Sequence, residues 1–190
     1  YAFCGDGCLM EGISHEAIDL AGHLKLNKLI YFFDDNHISI DGDTKLATSI
    51  DQCERFRAHG WNTFEVDGHD PEAIEKVIEE ARASDKPAFI ACRTIIGYGA
   101  PNLQGTDKVH GNALGADEVA ATRKNIGWTS EAFVLPEPIT NAWHKAAQKG
   151  REAREAWEKT RDAAPNRAEF EAQYATKLPE NLAELMAKAR

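Results

Sequence analysis

The residues most able to do chemistry are Gly5-Asp6-Gly7 and the run Asp34-Asp35-Asn36-His37-Ile38. The first sits where an apolar run, Tyr1–Cys4, gives way to a helical pattern. The second ends another apolar run, Leu29–Phe33. Glycines at such a junction let the backbone approach a ligand closely, and Asp6 offers a hard oxygen donor. On its own, Gly-Asp-Gly is also what a tight turn with a helix-capping aspartate looks like. The spacing changes the balance, because 30 residues separate Asp6 from Asn36, enough for one strand end, one helix and one strand. Asp6 and Asn36 are therefore expected at the carboxyl ends of neighbouring parallel strands, the edge where open α/β sheets bind ligands. A carboxylate, an amide oxygen and a nearby carbonyl suit Mg²⁺, which keeps its other positions for water and phosphate oxygens.

The elements that must position these residues follow from periodicity. Between the two motifs Ile13, Ala17, Leu20, Ala21 and Leu24 are expected to share the buried face of a helix. Asp51–His59 reads as a short helix closed by Gly60, Trp61–Val66 as a strand, and Pro71–Ala83 as a helix with Ile74, Val77, Ile78 and Ala81 inward. Pro87–Thr94 supplies the next strand. Strands alternating with helices predict a doubly wound, parallel α/β sheet. Gly97–Gly115, with five glycines, one proline and two asparagines, reads as a functional loop, and Asp117–Asn125 as a helix. From about Pro138 the chain turns rich in Ala, Glu, Lys and Arg, which predicts a helical extension interrupted near Pro165 and Pro179. The expected division is residues 1–137 for the ligand-binding domain and 138–190 for the extension.

Composition excludes several functions. The 190 residues are 43% hydrophobic and 28% charged, and no stretch approaches the roughly 18 apolar residues of a membrane span. Net charge is −9; residues 145–190 hold 10 basic and 8 acidic side chains, leaving 12 against 23, a net −11, in residues 1–144. So acidic a body argues against nucleic acid as a partner, and a phosphorylated ligand would need a metal ion to supply positive charge. Cys4, Cys8, Cys53 and Cys92 form no CxxC pair, which fits a reducing compartment, with Cys4 and Cys92 as buried thiols. The chain opens on Tyr1 inside a strand-like run, and it reads as a piece of a longer protein whose sheet begins in mid-pattern.

The wording GDGCLMEGISHEAIDLAGHLKLNKL followed by DDNHISIDG resembles the transketolase family. The resemblance continues through RFRAHGWNTFEVDGHD, DKPAFIACRTIIGYGAPN and HGNALG, closely over residues 1–144 and more loosely beyond. Other thiamine enzymes share Gly-Asp-Gly and the asparagine but are not expected to share ISIDG or the GYGAPN loop. The resemblance implies the thiamine-diphosphate-binding fold, with thiamine diphosphate and Mg²⁺ (or Ca²⁺) as cofactors. It implies side-chain ligation of the metal by Asp6 and Asn36 and ligation by the Ile38 carbonyl. It also implies a diphosphate cradle at Gly5 and Gly7 with a backbone N–H from Gly7, and apolar contacts to the cofactor from Ile40 and Ile96. His110 matches a histidine near the diphosphate and the reacting carbon, and Glu11 a glutamate of the network linking paired active sites.

The implied reaction moves a two-carbon ketol unit from a ketose phosphate to an aldose phosphate, in a cytoplasmic homodimer. The pyrimidine-binding domain, acting in trans, and its activating glutamate are outside this chain, so the chain alone is expected to be inactive. A subunit of a split enzyme and a dihydroxyacetone synthase are the alternatives. Two positions depart from the family's habit: Asp107 stands where a second histidine is common, and Ala113 where a proline is. Rival motifs are weaker. His15-Glu16-Ala17-Ile18-Asp19 lacks the second histidine of a zinc-protease helix, and Gly97-Tyr98-Gly99 lacks the third glycine of a dinucleotide fingerprint. No phosphate-loop NTPase motif occurs.

Overall fold

The computed structural model describes residues 1–175 and 178–189; Thr176, Lys177 and Arg190, part of the expected extension, lie outside the described residues. In chain order the elements are β1 (Ala2–Cys4), α1 (Asp6–Met10), α2 (Gly12–His23) and β2 (Ile30–Asp35). A small hairpin, β3 (Ile38–Ser39) and β4 (Gly42–Asp43), follows, then α3 (Gln52–Ala58), β5 (Asn62–Asp67), α4 (Pro71–Arg82) and β6 (Ala88–Arg93). Beyond them come α5 (Ala116–Asn125), α6 (Glu137–Ala163), α7 (Arg167–Tyr174) and α8 (Leu182–Lys188). The chain divides into two compact units, Tyr1–Thr129 and Ser130–Arg190.

In the first unit four parallel strands form one sheet in the order β1-β2-β6-β5. Strand alternation assigns its two faces. Tyr31, Phe33, Phe89 and Ala91 point toward Leu9, Ile18, Ala21, Cys53, Phe56 and Trp61 of the α1–α3 side. Ile30, Phe32, Ala88, Ile90 and Cys92 point toward Ile74, Val77, Ile78 and Ala81 of α4. The central strands β2 and β6 are thus covered on both faces, as the continuous apolar runs predict, while Phe3 of the edge strand β1 is 82% exposed. Helix starts are chemically marked: Asp51 Oδ1 accepts from Glu54 N at 2.9 Å, and Asp70 Oδ1 from Glu72 N and Ala73 N at 3.0 and 3.1 Å, with Pro71 in the first turn of α4.

The first helix corrects the periodicity reading. It is two helices, broken at Glu11, whose φ of −66° and ψ of 139° are extended. Helix α2 buries Ile18, Ala21 and Gly22, whereas Ile13, Ala17, Leu20 and Leu24 are exposed. The reason is a close approach to the α3–β5 turn. Trp61 Nε1 donates to the Ile18 carbonyl at 2.9 Å, and its indole meets Phe56 edge-on at 5.0 Å. A Cβ on Gly22 would lie 1.8 Å from the His59 carbonyl oxygen. Glycine therefore sets the rotation of α2, overriding the apolar stripe. Glu11 sits at the N-cap of α2, outside its first turn, and makes no capping bond.

The second unit is helical. Helix α6 runs 27 residues; the interruptions expected near Pro165 and Pro179 separate α6 from α7 and α7 from α8. Trp157 packs edge-on against Phe170 at 6.4 Å, and Arg161 lies 5.1 Å over the Trp157 ring. Arg154–Glu158 and Arg167–Glu171 pairs at helical spacing on the exposed surface add little. Among the described residues no helix is long and apolar enough to cross a membrane.

All four cysteines are free: Cys4, Cys53 and Cys92 are buried and Cys8 is exposed. Burial, first, and then the neighbouring Cys8 and Asp6 push the Cys4 thiol up to about 12; burial pushes Cys53 up to about 11. A thiol reagent should therefore consume one equivalent rapidly in the native protein, at Cys8, and three more only on denaturation. A Gly22→Ala substitution should destabilise the first unit by about 3 kcal/mol through overpacking, read as a lowered urea midpoint.

Candidate functional site

The site is built at the carboxyl edge of the sheet, where β1, β2, β5 and β6 all end. Strand β1 pairs in parallel with β2, Cys4 beside Phe33, so the turn Gly5-Asp6-Gly7 and the turn Asp34–Ile38 leave the sheet side by side. Asp6 opens α1, and α1 lies against Ile38–Ser39 of the hairpin. Neither Gly5 nor Gly7 needs glycine for the chain's own sake. Gly5 has an ordinary φ of −110°, and a Cβ on either residue would meet nothing within 4 Å. The space beside both glycines is open, as a cradle for a ligand would be.

The turn after β2 is held by its own polar groups. Asn36 Oδ1 accepts from Ile38 N at 2.9 Å, and Asn36 Nδ2 donates to Asp34 Oδ2 at 3.0 Å. His37 takes a left-handed φ of 61°, uncommon for a residue with a side chain. These contacts point Asn36 and the start of β3 in a fixed direction, and one lone pair of the Asn36 amide oxygen remains beyond the bond to Ile38. Ile40, at the hairpin tip, is 71% exposed.

Charge at this edge is arranged unevenly. Arg93 Nη2 pairs with Asp35 Oδ2 at 2.8 Å, and His37 Nδ1 lies 3.5 Å from Asp35 Oδ1. The Thr94 hydroxyl donates to Asp34. Asp6 has no such partner among these bonds, and burial, then the nearby Asp35, hold its carboxyl above the ordinary carboxylate range. A cavity of about 290 Å³ lined by Asp6, Asp35, His37, Lys45, Gln52 and Arg93, among others, opens behind it. Among the described residues no group of three or more His, Cys, Asp or Glu side chains could hold a metal ion. The expected donor set, one carboxylate, one amide and one carbonyl, is of a different kind. His15 is exposed and belongs to no such group.

The long loop after β6 is ordered by polar contacts that periodicity does not register. Gly97 and Gly99 have φ of 65° and 92°, and Cβ atoms there would lie 3.0 Å from Val109 Cγ2 and 2.5 Å from Ile126 Cγ2. Glycine is required at both positions by conformation and by space. Glu118, only 8% exposed, accepts from both Asn102 N and Asn102 Nδ2 at 2.8 Å. The side-chain amide and then the backbone N–H of Asn102 hold the Glu118 carboxyl below its usual range. Asn125 Nδ2 donates to the Gly99 carbonyl, and Gln104 Oε1 accepts from Gly99 N, both at 2.9 Å. Glu118, Thr122 and Asn125 recur at helical spacing on α5, so the signal in the sequence was a polar stripe facing a glycine-rich loop.

The same loop carries two of the other expected site residues, Ile96 and His110. Ile96 is half-buried, and its carbonyl accepts from Gly105 N at 2.8 Å. His110 is exposed, following a single 3-10 turn at Asp107–Val109, with its N–H donating to the Asp107 carbonyl at 2.9 Å. Val109 packs against Gly97, so the turn before His110 is tied to the one holding Ile96. Glu11 is exposed at the α1–α2 break.

Comparison with known proteins places this geometry. Residues 1–188 match the family described as "Transketolase, thiamine diphosphate binding domain". The chain is 53% identical over 190 residues to a transketolase of Sinorhizobium medicae, covering 100% of this chain and 27% of that protein. It is 54% identical over 171 residues to a transketolase of Cereibacter sphaeroides, covering 90% and 26%. The crystal structure of a Campylobacter jejuni transketolase superposes with a TM-score of 0.81 at 34% identity, over 92% of this chain and 28% of that one. A Pichia stipitis transketolase in complex with sedoheptulose 7-phosphate superposes with a TM-score of 0.77 at 40% identity, over 85% and 24%. The chain thus spans about a quarter of the length of these relatives. With the parallel sheet, the open glycine cradle and this match over nearly all its residues, the chain belongs to the transketolase family, as its thiamine-diphosphate-binding domain.

Proposed function

We propose that this chain holds the diphosphate end of thiamine diphosphate, through Mg²⁺, in an enzyme that transfers a two-carbon ketol unit between sugar phosphates. The observation that carries the reading is the pairing of two turns at one sheet edge, Gly5-Asp6-Gly7 beside Asp34–Ile38, with open space at both glycines. Asp6 ligates the metal with its carboxylate, Asn36 with its amide oxygen and Ile38 with its carbonyl. This donor set suits a hard cation that keeps sites for phosphate oxygens. The environment fits: Asp6 is crowded by Asp34 and Asp35, and a divalent cation relieves that crowding while offsetting the diphosphate. Gly7 donates its backbone N–H to the diphosphate at the start of α1, and Gly5 lets it come close.

When bound, the cofactor supplies a carbon nucleophile and an electron sink. The chain's own residues do the rest. Ile40 and Ile96 exclude water from the cofactor's ring and diphosphate, which gives the exposed Ile40 a covering partner. His110 donates or accepts a proton at the substrate oxygen beside the reacting carbon, and Glu11 links this site to its twin in a homodimer. The pyrimidine end is held in trans by a second domain. Support for sugar phosphates as substrates is the sedoheptulose 7-phosphate complex of the Pichia stipitis neighbour. A reducing cytoplasm is consistent with four free thiols.

In a full-length enzyme carrying this chain, Asp6→Ala and Asn36→Ala should each weaken thiamine-diphosphate binding at least about tenfold, and wild-type binding should require Mg²⁺ or Ca²⁺. Titration calorimetry with and without metal checks this, and unchanged, metal-independent affinity would defeat the assignment. His110→Ala should lower kcat on the order of 10²–10⁴-fold at saturating cofactor while changing cofactor affinity far less. Wild-type turnover in steady-state kinetics would return His110 to an ordinary loop residue.

A further inference from the structure

We infer that His69 is a positioning residue of the cofactor site, its neutral ring holding both ends of the turn Ile95–Tyr98 that carries Ile96. The inference rests on reading Ile96 as a cofactor contact. His69 lies in the loop between β5 and α4, and that loop is pressed onto the end of β6. Gly68 N donates to the Arg93 carbonyl at 2.8 Å, and a Cβ on Gly68 would lie 2.5 Å from Thr94 Cγ2. Asp67 Oδ1 accepts from His69 N at 2.9 Å, so the backbone that delivers the ring is fixed before the side chain makes any contact.

The ring then does two things. His69 Nε2 accepts from Ile95 N at 3.0 Å, and the imidazole stacks on Tyr98 with centroids 4.1 Å apart and planes 27° apart. The first contact continues the sheet by other means. Thr94 N still donates to the Asp35 carbonyl of β2, at 3.3 Å, and the next donor, Ile95 N, passes to the histidine. The second contact reaches the far end of the same turn, which Tyr98 N closes by donating to the Ile95 carbonyl at 3.1 Å. Burial does not account for this order, because His69, Ile95 and Tyr98 are all exposed. An accepting Nε2 requires the neutral tautomer with its proton on Nδ1. One imidazole therefore sets the direction in which Ile96 leaves β6.

The two contacts can be separated by substitution. His69→Phe keeps a ring to stack on Tyr98 but removes the acceptor, and His69→Gln restores an acceptor near the position of Nε2. Long-range ¹H–¹⁵N spectra of the wild-type protein should show His69 neutral and protonated at Nδ1. In His69→Phe the Ile95 amide should exchange with solvent roughly 3- to 10-fold faster, and thiamine diphosphate with Mg²⁺ should bind a full-length enzyme weaker by a similar factor. His69→Gln should recover part of both. Unchanged Ile95 exchange in His69→Phe overturns the inference. Asp6→Ala, titrated in parallel, separates it from the cofactor reading: lost affinity there together with wild-type affinity in His69→Phe overturns the positioning role alone.

Discussion

The structure depends on strand β6 being paired on both sides at once. Its register runs residue for residue with β2, Ile30 beside Ala88 through Asp35 beside Arg93, and equally with β5, Asn62 beside Ala88 through Asp67 beside Arg93. Both ladders leave its backbone donors and acceptors satisfied where water cannot reach them. Its side chains from Ala88 to Cys92 are then free to be apolar: Phe89 and Ile90 are completely buried on opposite faces, with Phe89 stacked 3.8 Å from Phe56 and 5.6 Å from Phe33. Because the three strands are parallel and in step, Asp35, Asp67 and Arg93 arrive at the same edge. A slip of one residue in β6 would exchange its two faces and move Arg93 away from Asp35.

That edge carries the electrostatic problem of the chain. Residues 1–144 have a net charge of −11, and three aspartates of the site, Asp6, Asp34 and Asp35, meet where strands β1 and β2 end. Two of them are answered from the end of β6, Asp35 by the Arg93 guanidinium and Asp34 by the hydroxyl of Thr94, the next residue along. The third is not, and the cost shows in the raised affinity of Asp6 for a proton. A carboxylate that lies beside two others, eased by its own backbone N–H and by His37, is still poorly placed for stability and well placed for a cation. Arg93, the basic residue paired at this edge, neutralises a neighbour of Asp6 and not Asp6 itself.

The sequence shows this framework unevenly, for physical reasons. Strands buried on both faces advertise themselves as continuous apolar runs, which is why Leu29–Phe33 and Pro87–Thr94 were legible, and a Pro-led, Asp-capped start marked α4. The neighbouring ends of β1 and β2 followed from a spacing of 30 residues. Helix α2 was misread because a glycine and a tryptophan hydrogen bond, at Gly22 and Trp61, decided which face turned inward; periodicity weighs apolar side chains and is blind to both. The hairpin β3–β4 is two residues on each strand, too short to alternate visibly. The polar face of α5 escaped for the opposite reason, since what it buries is a carboxylate.

Glu118 shows why a loop with five glycines can be a defined part of a site. Every glycine from Gly97 to Gly115 has a positive φ, so the unfolded loop has much conformational freedom to lose, and few apolar side chains with which to offset that loss. The contacts that hold it are directional instead. Glu118 takes both donors of Asn102, Asn125 takes the Gly99 carbonyl, and Gln104 takes the Gly99 amide. Charge-assisted bonds to a buried carboxylate are the stronger kind, and each orients its partner as well as holding it. An apolar core would accept many loop conformations of equal burial, whereas these bonds accept few. Glycine-sized gaps work the same way, since Val109 packs against Gly97 and so ties down the single turn that precedes His110.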